Sequence, residues 1–137
     1  MNEKAIPQRM VEIMAPEDRK ALGQKTVAER SARADLQLER EIHRLIDLEL
    51  NRRCIVGIHS RTDKKTTQQV GVPDYLMGLW DSERGCARPV AVEVKLPGGK
   101  LSDDQIIMRD RLVRDGWEYH VVYSLEEFKS VLSEFDV

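Results

Sequence analysis

Cysteine is scarce in this chain. Its two copies, Cys54 and Cys86, exclude a disulfide framework and a four-cysteine zinc site, and both are expected to be buried thiols. The three histidines are scattered singly, so no histidine cluster marks a metal centre. No apolar run approaches the ~18 residues of a membrane span, and the first thirty residues carry charges throughout, unlike a signal peptide. The chain is therefore read as intracellular and cytoplasmic, without a membrane association. A strong basic excess is also missing: the formal net charge is -2. What is present is ordinary for a globular protein. The 137 residues, 41% hydrophobic and 34% charged, suffice for one domain with a small appendage.

Charge is unevenly placed. Arg52, Arg53, Arg61, Lys64 and Lys65 stand against Asp63 alone, whereas Glu126, Glu127, Glu134 and Asp136 stand against Lys129 near the C-terminus. Such a polarity would orient the chain on an anionic partner, although ordinary solvated loops would show the same pattern.

Met1 to Gln24 is weakly patterned, with a short helix expected over Glu17 to Leu22. Thr26-Val-Ala-Glu29 has the form of a capping box and predicts the start of one long amphipathic helix, with a break possible near Asp35, reaching about Arg53. Cys54 to His59 reads as a first strand and the polar stretch Ser60 to Gln69 as a loop. Tyr75 to Trp80 reads as a second strand, Asp81 to Arg88 as a polar connection, and Val90 to Leu96 as a third strand antiparallel to the second. Ser102-Asp-Asp-Gln105 predicts another capped helix, with Ile106, Ile107, Leu112 and Val113 as its apolar stripe and Gly116 as its stop. Trp117 to Tyr123 predicts a fourth strand. Ser124-Leu-Glu-Glu127 caps a final helix carrying Phe128, Val131, Leu132 and Phe135. Tyr75, Trp80 and Trp117, each in an apolar strand, are expected in the core. The order is α/β, with an αβββαβ core and a final helix.

The chemistry concentrates in Val90-Ala-Val-Glu-Val-Lys95. Strand alternation puts Val90, Val92 and Val94 on one face and Ala91, Glu93 and Lys95 on the other. Asp74 opens the neighbouring strand, and strands about 4.8 Å apart allow Asp74 and Glu93 to converge on one ion if the register pairs their ends. Carboxylate oxygens suit a hard cation such as magnesium, and Lys95 would meet a phosphate or an attacking water, a constellation for metal-assisted phosphodiester hydrolysis. The same residues could form an ordinary ion pair beside a turn aspartate. His59 and Ser60, at the end of the first strand, are further candidates to face a substrate.

Pro73-Asp74 with Glu93-Val94-Lys95 resembles the PD-(D/E)XK nuclease signature. Gly71 to Asp74, Val92 to Gln105 and Gly116 to Glu127 together resemble its VRR-NUC branch. The resemblance covers about Leu36 to Phe135, leaving residues 1–35 as a helical appendage to a nuclease domain over residues 36–137. It implies a restriction-endonuclease-like mixed sheet flanked by helices and a magnesium- or manganese-dependent DNA endonuclease. Asp74, Glu93 and the Val94 carbonyl would then be metal ligands, Lys95 the catalytic lysine and Gln105 a further active-site residue, a role that competes with its place in the capping box. A glutamate of the first helix completes the family site. Glu39 fits best, with Glu41 as the other candidate, and His43 stands where the family usually has glutamine. Arg61, Lys64, Lys65 and Lys100 would contact the DNA backbone. Small stand-alone relatives resemble Holliday-junction resolvases, which implies a homodimer acting on branched DNA such as four-way junctions, with the N-terminal helices as candidates for dimer packing. A non-catalytic DNA-binding or assembly module and a sequence-specific restriction-type endonuclease are the alternatives.

Overall fold

The computed structural model describes residues 26–60 and 69–137. The chain divides into two compact units, Met1–Gln37 and Leu38–Val137, and the second contains the whole sheet. The helix expected over Glu17 to Leu22 lies outside the described residues. Among the described residues, no helix is long and apolar enough to cross a membrane.

Helix α1 (Val27–Arg52) starts at the reciprocal cap read from the sequence. The Glu29 N–H donates to Thr26 Oγ1 at 3.1 Å and the Thr26 N–H donates to Glu29 Oε2 at 2.8 Å. It is continuous through Asp35, where a break was possible. Its buried stripe is Ile42, Ile46, Glu49 and Leu50. Glu49 tolerates burial because Arg52 and Arg53 each donate to its Oε1 at 2.6 Å.

The helix ends on Cys54, a left-handed residue at φ 56°. The Cys54 N–H donates to the Asn51 carbonyl at 3.1 Å and the Ile55 N–H to the Leu50 carbonyl at 2.9 Å, the paired bonds that close a helix C-terminus. Cys54 is therefore an exposed helix terminator, neither a strand residue nor a buried thiol, and β1 shrinks to Gly57–His59. Cys86 is exposed too, because it opens a strand at the hairpin end, beyond the core.

Strands β2 (Tyr75–Asp81) and β3 (Cys86–Val94) form an antiparallel hairpin. The polar connection expected between them is a tight turn, closed by the Gly85 N–H donating to the Asp81 carbonyl at 2.8 Å. The four residues Cys86 to Pro89 belong to β3 although they are polar or unsuited to a ladder, because they lie toward the solvated end of the sheet; Val90 to Val94 is buried on both faces. Helix α2 (Asp103–Arg114) then carries the chain over to β4 (Glu118–Val122), which lies parallel to β3. Helix α3 (Leu125–Leu132) follows. The sheet order β1-β2-β3-β4, two antiparallel pairs and one parallel, is the mixed sheet of a restriction-endonuclease-like α/β core.

One face of the sheet, with Tyr75, Met77, Leu79, Val90, Val92 and Val94, packs against α1 and α3 in one hydrophobic cluster. Phe128 and Leu132 of α3 are fully buried there, each worth about 2–3 kcal/mol of burial. Helix α2 departs from the expected stripe. Met108 is its buried residue, whereas Ile106, Ile107 and Val113 are exposed, because Gln105, Met108 and Leu112 share the inward face at spacings of three and four. Trp80 is also a correction: it is 51% exposed, since alternation along β2 gives the core to Leu79. Tyr75 is fully buried and Trp117 half-buried.

Candidate active site

The register of the hairpin pairs Tyr75 with Val92, and one further step sets Asp74 opposite Glu93. Each carboxylate is then fixed by a backbone N–H from the opposite side of the hairpin. The Asp74 N–H donates to Glu93 Oε2 at 3.3 Å, and the Val94 N–H donates to Asp74 Oδ2 at 2.8 Å. Glu93 points away from the valine face, toward α2, and is only 3% exposed. Burial first, and then the neighbouring Asp74 charge, push its carboxyl up to about 7, against the pull of Lys95.

Two side chains meet Glu93 Oε1. Lys95 Nζ lies 3.3 Å away and the Gln105 Nε2 amide donates at 2.6 Å. The competition expected for Gln105 does not arise, because its two ends do different work. Its Oε1 accepts the Ser102 N–H at 2.9 Å, completing the capping box, while its amide nitrogen reaches the sheet. The cap thereby fixes the rotamer that supports Glu93. Gly71 holds the loop before β2 against the same helix start: it adopts φ +82°, and a Cβ there would fall 2.4 Å from the Asp104 carbonyl oxygen.

From the α1 side, His43 Nε2 approaches Asp74 Oδ2 at 3.9 Å. Its ring stacks with those of His59 and Tyr75, centroids 4.9 and 5.7 Å away. The Tyr75 hydroxyl is 3.2 Å from His43 Nδ1 and donates to Asp47 Oδ1 at 3.0 Å, and His59 Nδ1 lies 3.2 Å from the same Asp47 oxygen. Burial depresses the His43 pKa below its ordinary value, outweighing the attraction of Asp74. Glu39 is half-buried one turn before His43 and adds to the negative field on that ring, whereas Glu41 is exposed and held by Arg44 at 2.6 Å. Ser60 is buried, its N–H donating to the Asp74 carbonyl at 2.7 Å.

The family model of the VRR-NUC domain matches residues 12–126. The chain belongs to the VRR-NUC family. No curated protein and no solved structure matches it. As a VRR-NUC domain it is a nuclease, a hydrolase whose substrate is DNA, from a family that usually works with a divalent cation.

The residues gathered around Asp74 and Glu93 fit such a cation. Two opposed carboxylates, one of them buried and forced up to about 7 by its surroundings, leave a local excess of negative charge that Lys95 alone does not cancel. Of the expected DNA contacts, Lys100 is exposed beyond the end of β3, and Arg61, Lys64 and Lys65 lie outside the described residues.

Four features near or beyond the site were not read from the sequence. His43, His59 and Tyr75 come from three elements and form a stack only after folding. Asp47, which anchors that stack, looks like any helix surface acid. The Tyr119 hydroxyl is buried without a hydrogen-bond partner, and burial, followed by the Glu93 and Asp74 charges, raises its pKa. Glu118, His120 and Glu134 bring ligand atoms within 4.8 Å of one another on the opposite face of the sheet from Glu93, where Glu118 also pairs with Arg88. The alternation of Glu118 and His120 along one strand is the only sequence signal for that group.

Proposed function

We propose that this VRR-NUC domain hydrolyses phosphodiester bonds of branched DNA, four-way junctions in particular, as a homodimer using Mg2+ or Mn2+. In this reading Asp74, Glu93, the Val94 carbonyl and Glu39 hold the ion, and Lys95 and Gln105 complete the catalytic set. The convergence of Asp74 and Glu93 at the end of a rigid hairpin carries the reading, because a divalent cation would relieve oxygen ligands that face each other across one register step and let both ionise.

In hydrolysis the oxygen of a water bonds to phosphorus as one ester P–O bond breaks. One water proton is released and the departing sugar oxygen gains a proton. When bound, the ion supplies Lewis-acid polarisation of the phosphoryl oxygen and a lowered pKa for water. Lys95 carries three donors and a fixed charge, so it can hold a phosphoryl oxygen while keeping its contact with Glu93. Gln105 keeps Glu93 aimed into the site through its 2.6 Å amide bond. His43, His59 and Tyr75 form a rigid wall on the α1 side that limits how Asp74 can move.

The remaining parts rest on two supports. Affinity for the DNA backbone comes from Arg61, Lys64, Lys65 and Lys100 through phosphate contacts, which select by shape. An apolar hollow of about 430 Å³, lined by Val56, Ile58, Leu76 and Trp117, and the exposed Trp80 supply surface for a second copy. Residues 1–35 are taken as an appendage and as a further candidate for dimer packing.

The test is cleavage of labelled linear, nicked, flap and four-way DNA with and without Mg2+ or Mn2+, alongside Lys95→Ala and Asp74→Asn. The expected outcome is metal-dependent cutting, fastest on the four-way junction, with each variant down by ~100-fold or more. Undiminished cutting by either variant refutes the site. Equal rates on linear and four-way DNA refute the junction preference, and a monomer in sedimentation at working concentration refutes the homodimer.

A further inference from the structure

Asp74 faces a nitrogen as well as oxygens. The Tyr75 hydroxyl has one proton and three neighbours able to accept it: Asp47 Oδ1 at 3.0 Å, the His43 carbonyl at 3.2 Å and His43 Nδ1 at 3.2 Å. The carboxylate is the strongest of these acceptors, and its bond is the shortest. With that proton committed to Asp47, the contact between His43 Nδ1 and the hydroxyl is a hydrogen bond only if Nδ1 carries the ring's own proton and donates it to the tyrosine oxygen. The other nitrogen, Nε2, then presents a lone pair toward Asp74 Oδ2 across 3.9 Å.

Two acceptors thus face one another across a gap too long for a hydrogen bond, Asp74 Oδ2 having the Val94 N–H at 2.8 Å as its donor and lone-pair capacity left toward His43. The gap lies within the about 3.0–4.2 Å that two donor atoms of one ion would span at bonds near 2.1 Å. The ring is in no position to turn away, being stacked on His59 at 4.9 Å and 13° and on Tyr75 at 5.7 Å, with its side chain 16% exposed. A histidine that binds a metal through one nitrogen usually donates its other N–H to a fixed partner, and the Tyr75–Asp47 pair is such a partner.

We propose that His43 Nε2 is a ligand of the ion held by Asp74, so that the site is a mixed nitrogen and oxygen site that discriminates between divalent cations. This rests on the metal-dependent reading above. Imidazole adds little for Mg2+, which binds oxygen, and much more for first-row transition ions, so His43 makes this domain select Mn2+ over Mg2+.

The test uses the full chain without DNA, with Mn2+ and Mg2+ as probes. Electron spin-echo spectroscopy reads whether a nitrogen is bound to the Mn2+, and calorimetry gives the Mn2+ and Mg2+ affinities, for the unaltered protein, His43→Gln, His59→Gln and Asp74→Asn. The expected result is a nitrogen modulation in the unaltered protein that persists in His59→Gln and vanishes in His43→Gln. His43→Gln should also lose about tenfold or more in Mn2+ affinity, with Mg2+ affinity changed less than about threefold. If His43→Gln folds poorly, a modulation kept in His59→Gln and lost in Asp74→Asn still places the nitrogen beside Asp74, away from the Glu118, His120 and Glu134 group. Mn2+ that binds and is lost in Asp74→Asn, yet shows no nitrogen modulation, overturns the role of His43 while the metal site stands. A modulation that follows His59 instead of His43 overturns it equally. Mn2+ binding undiminished in Asp74→Asn overturns both the site and the role of His43.

Discussion

Glu93→Gln tests the electrostatic account of the site without DNA. The Glu93 carboxyl titrates near 7 in the fold, against an ordinary 4.5, because burial and the Asp74 charge oppose its ionisation. A carboxyl whose pKa is higher in the fold binds its proton more tightly when folded. Its contribution to stability is therefore complete below about pH 4.5 and has been lost above about pH 7. The difference of about two and a half pH units, at 1.36 kcal/mol each, amounts to about 3 kcal/mol of stability lost on going from pH 4.5 to above pH 7. Glutamine keeps the shape and an acceptor for Gln105 but does not titrate. Urea denaturation from pH 5 to pH 8, with a chelator present throughout, should show the unaltered protein losing about 2–3 kcal/mol more than Glu93→Gln. Titrating groups distant from Glu93 are common to both proteins and cancel in the comparison, whereas Asp74 and Lys95 interact with it directly and their change is part of the difference read. Curves that stay parallel to within about 1 kcal/mol over that range would refute the claim that Glu93 is held against ionisation.

Three further outcomes follow from the packing. Gly71→Ala should lower stability by about 2 kcal/mol or more in a thermal melt, because the new Cβ would meet the Asp104 carbonyl at 2.4 Å from a left-handed backbone; an unchanged melt would show that the loop and α2 are not in this contact. Cys54→Gly should raise stability by about 1 kcal/mol in urea denaturation, since glycine adopts the left-handed helix terminus that costs cysteine energy, and a loss of stability would contradict the φ of 56°. Ser102→Ala should cost about 1 kcal/mol of stability with cleavage kept, whereas Gln105→Leu should lose both the cap and about tenfold or more in rate; equal effects on cleavage would separate Gln105 from the site.

Much of this was legible because its causes are local. The caps at Thr26, Ser102 and Ser124 are short-range patterns, and each starts a helix, although Glu127 departs from the reciprocal form by accepting the Tyr123 N–H at 2.8 Å. The faces of β3 were legible because alternation is a property of the strand itself. The start of β3 was not, since Cys86, Ala87, Arg88 and Pro89 carry no strand signal and are held by pairing to β2. Cys54 looked like a strand residue because a left-handed terminator is normally glycine. Trp80 and the exposed isoleucines of α2 were misplaced for one reason: apolar character says that a residue prefers burial, but not which side of an element the rest of the fold covers. The histidine stack was hidden most completely, because positions 43, 59 and 75 share no period and meet only when α1 lies over the ends of β1 and β2.

The same tertiary placement explains why Glu93 is suited to its position rather than merely tolerated there. β3 has β2 on one side and β4 on the other, so its backbone donors and acceptors are occupied and the strand cannot shift to relieve a strained side chain. Val92 and Val94 anchor one face in the core, Gln105 clamps the other, and the Val94 N–H fixes Asp74. Without a cation, the fold answers the crowded charge by keeping a proton on Glu93, and the stability worked out above is lost when that proton leaves. A bound divalent ion removes the cause of that loss, so it should stabilise the fold in proportion to RT ln(1 + [ion]/Kd) and draw the Glu93 proton off as it binds. Rigidity in β3 and strain in its carboxylate are thus one arrangement: a strand free to relax would keep Glu93 ionised and would lose the geometry that makes a cation bind.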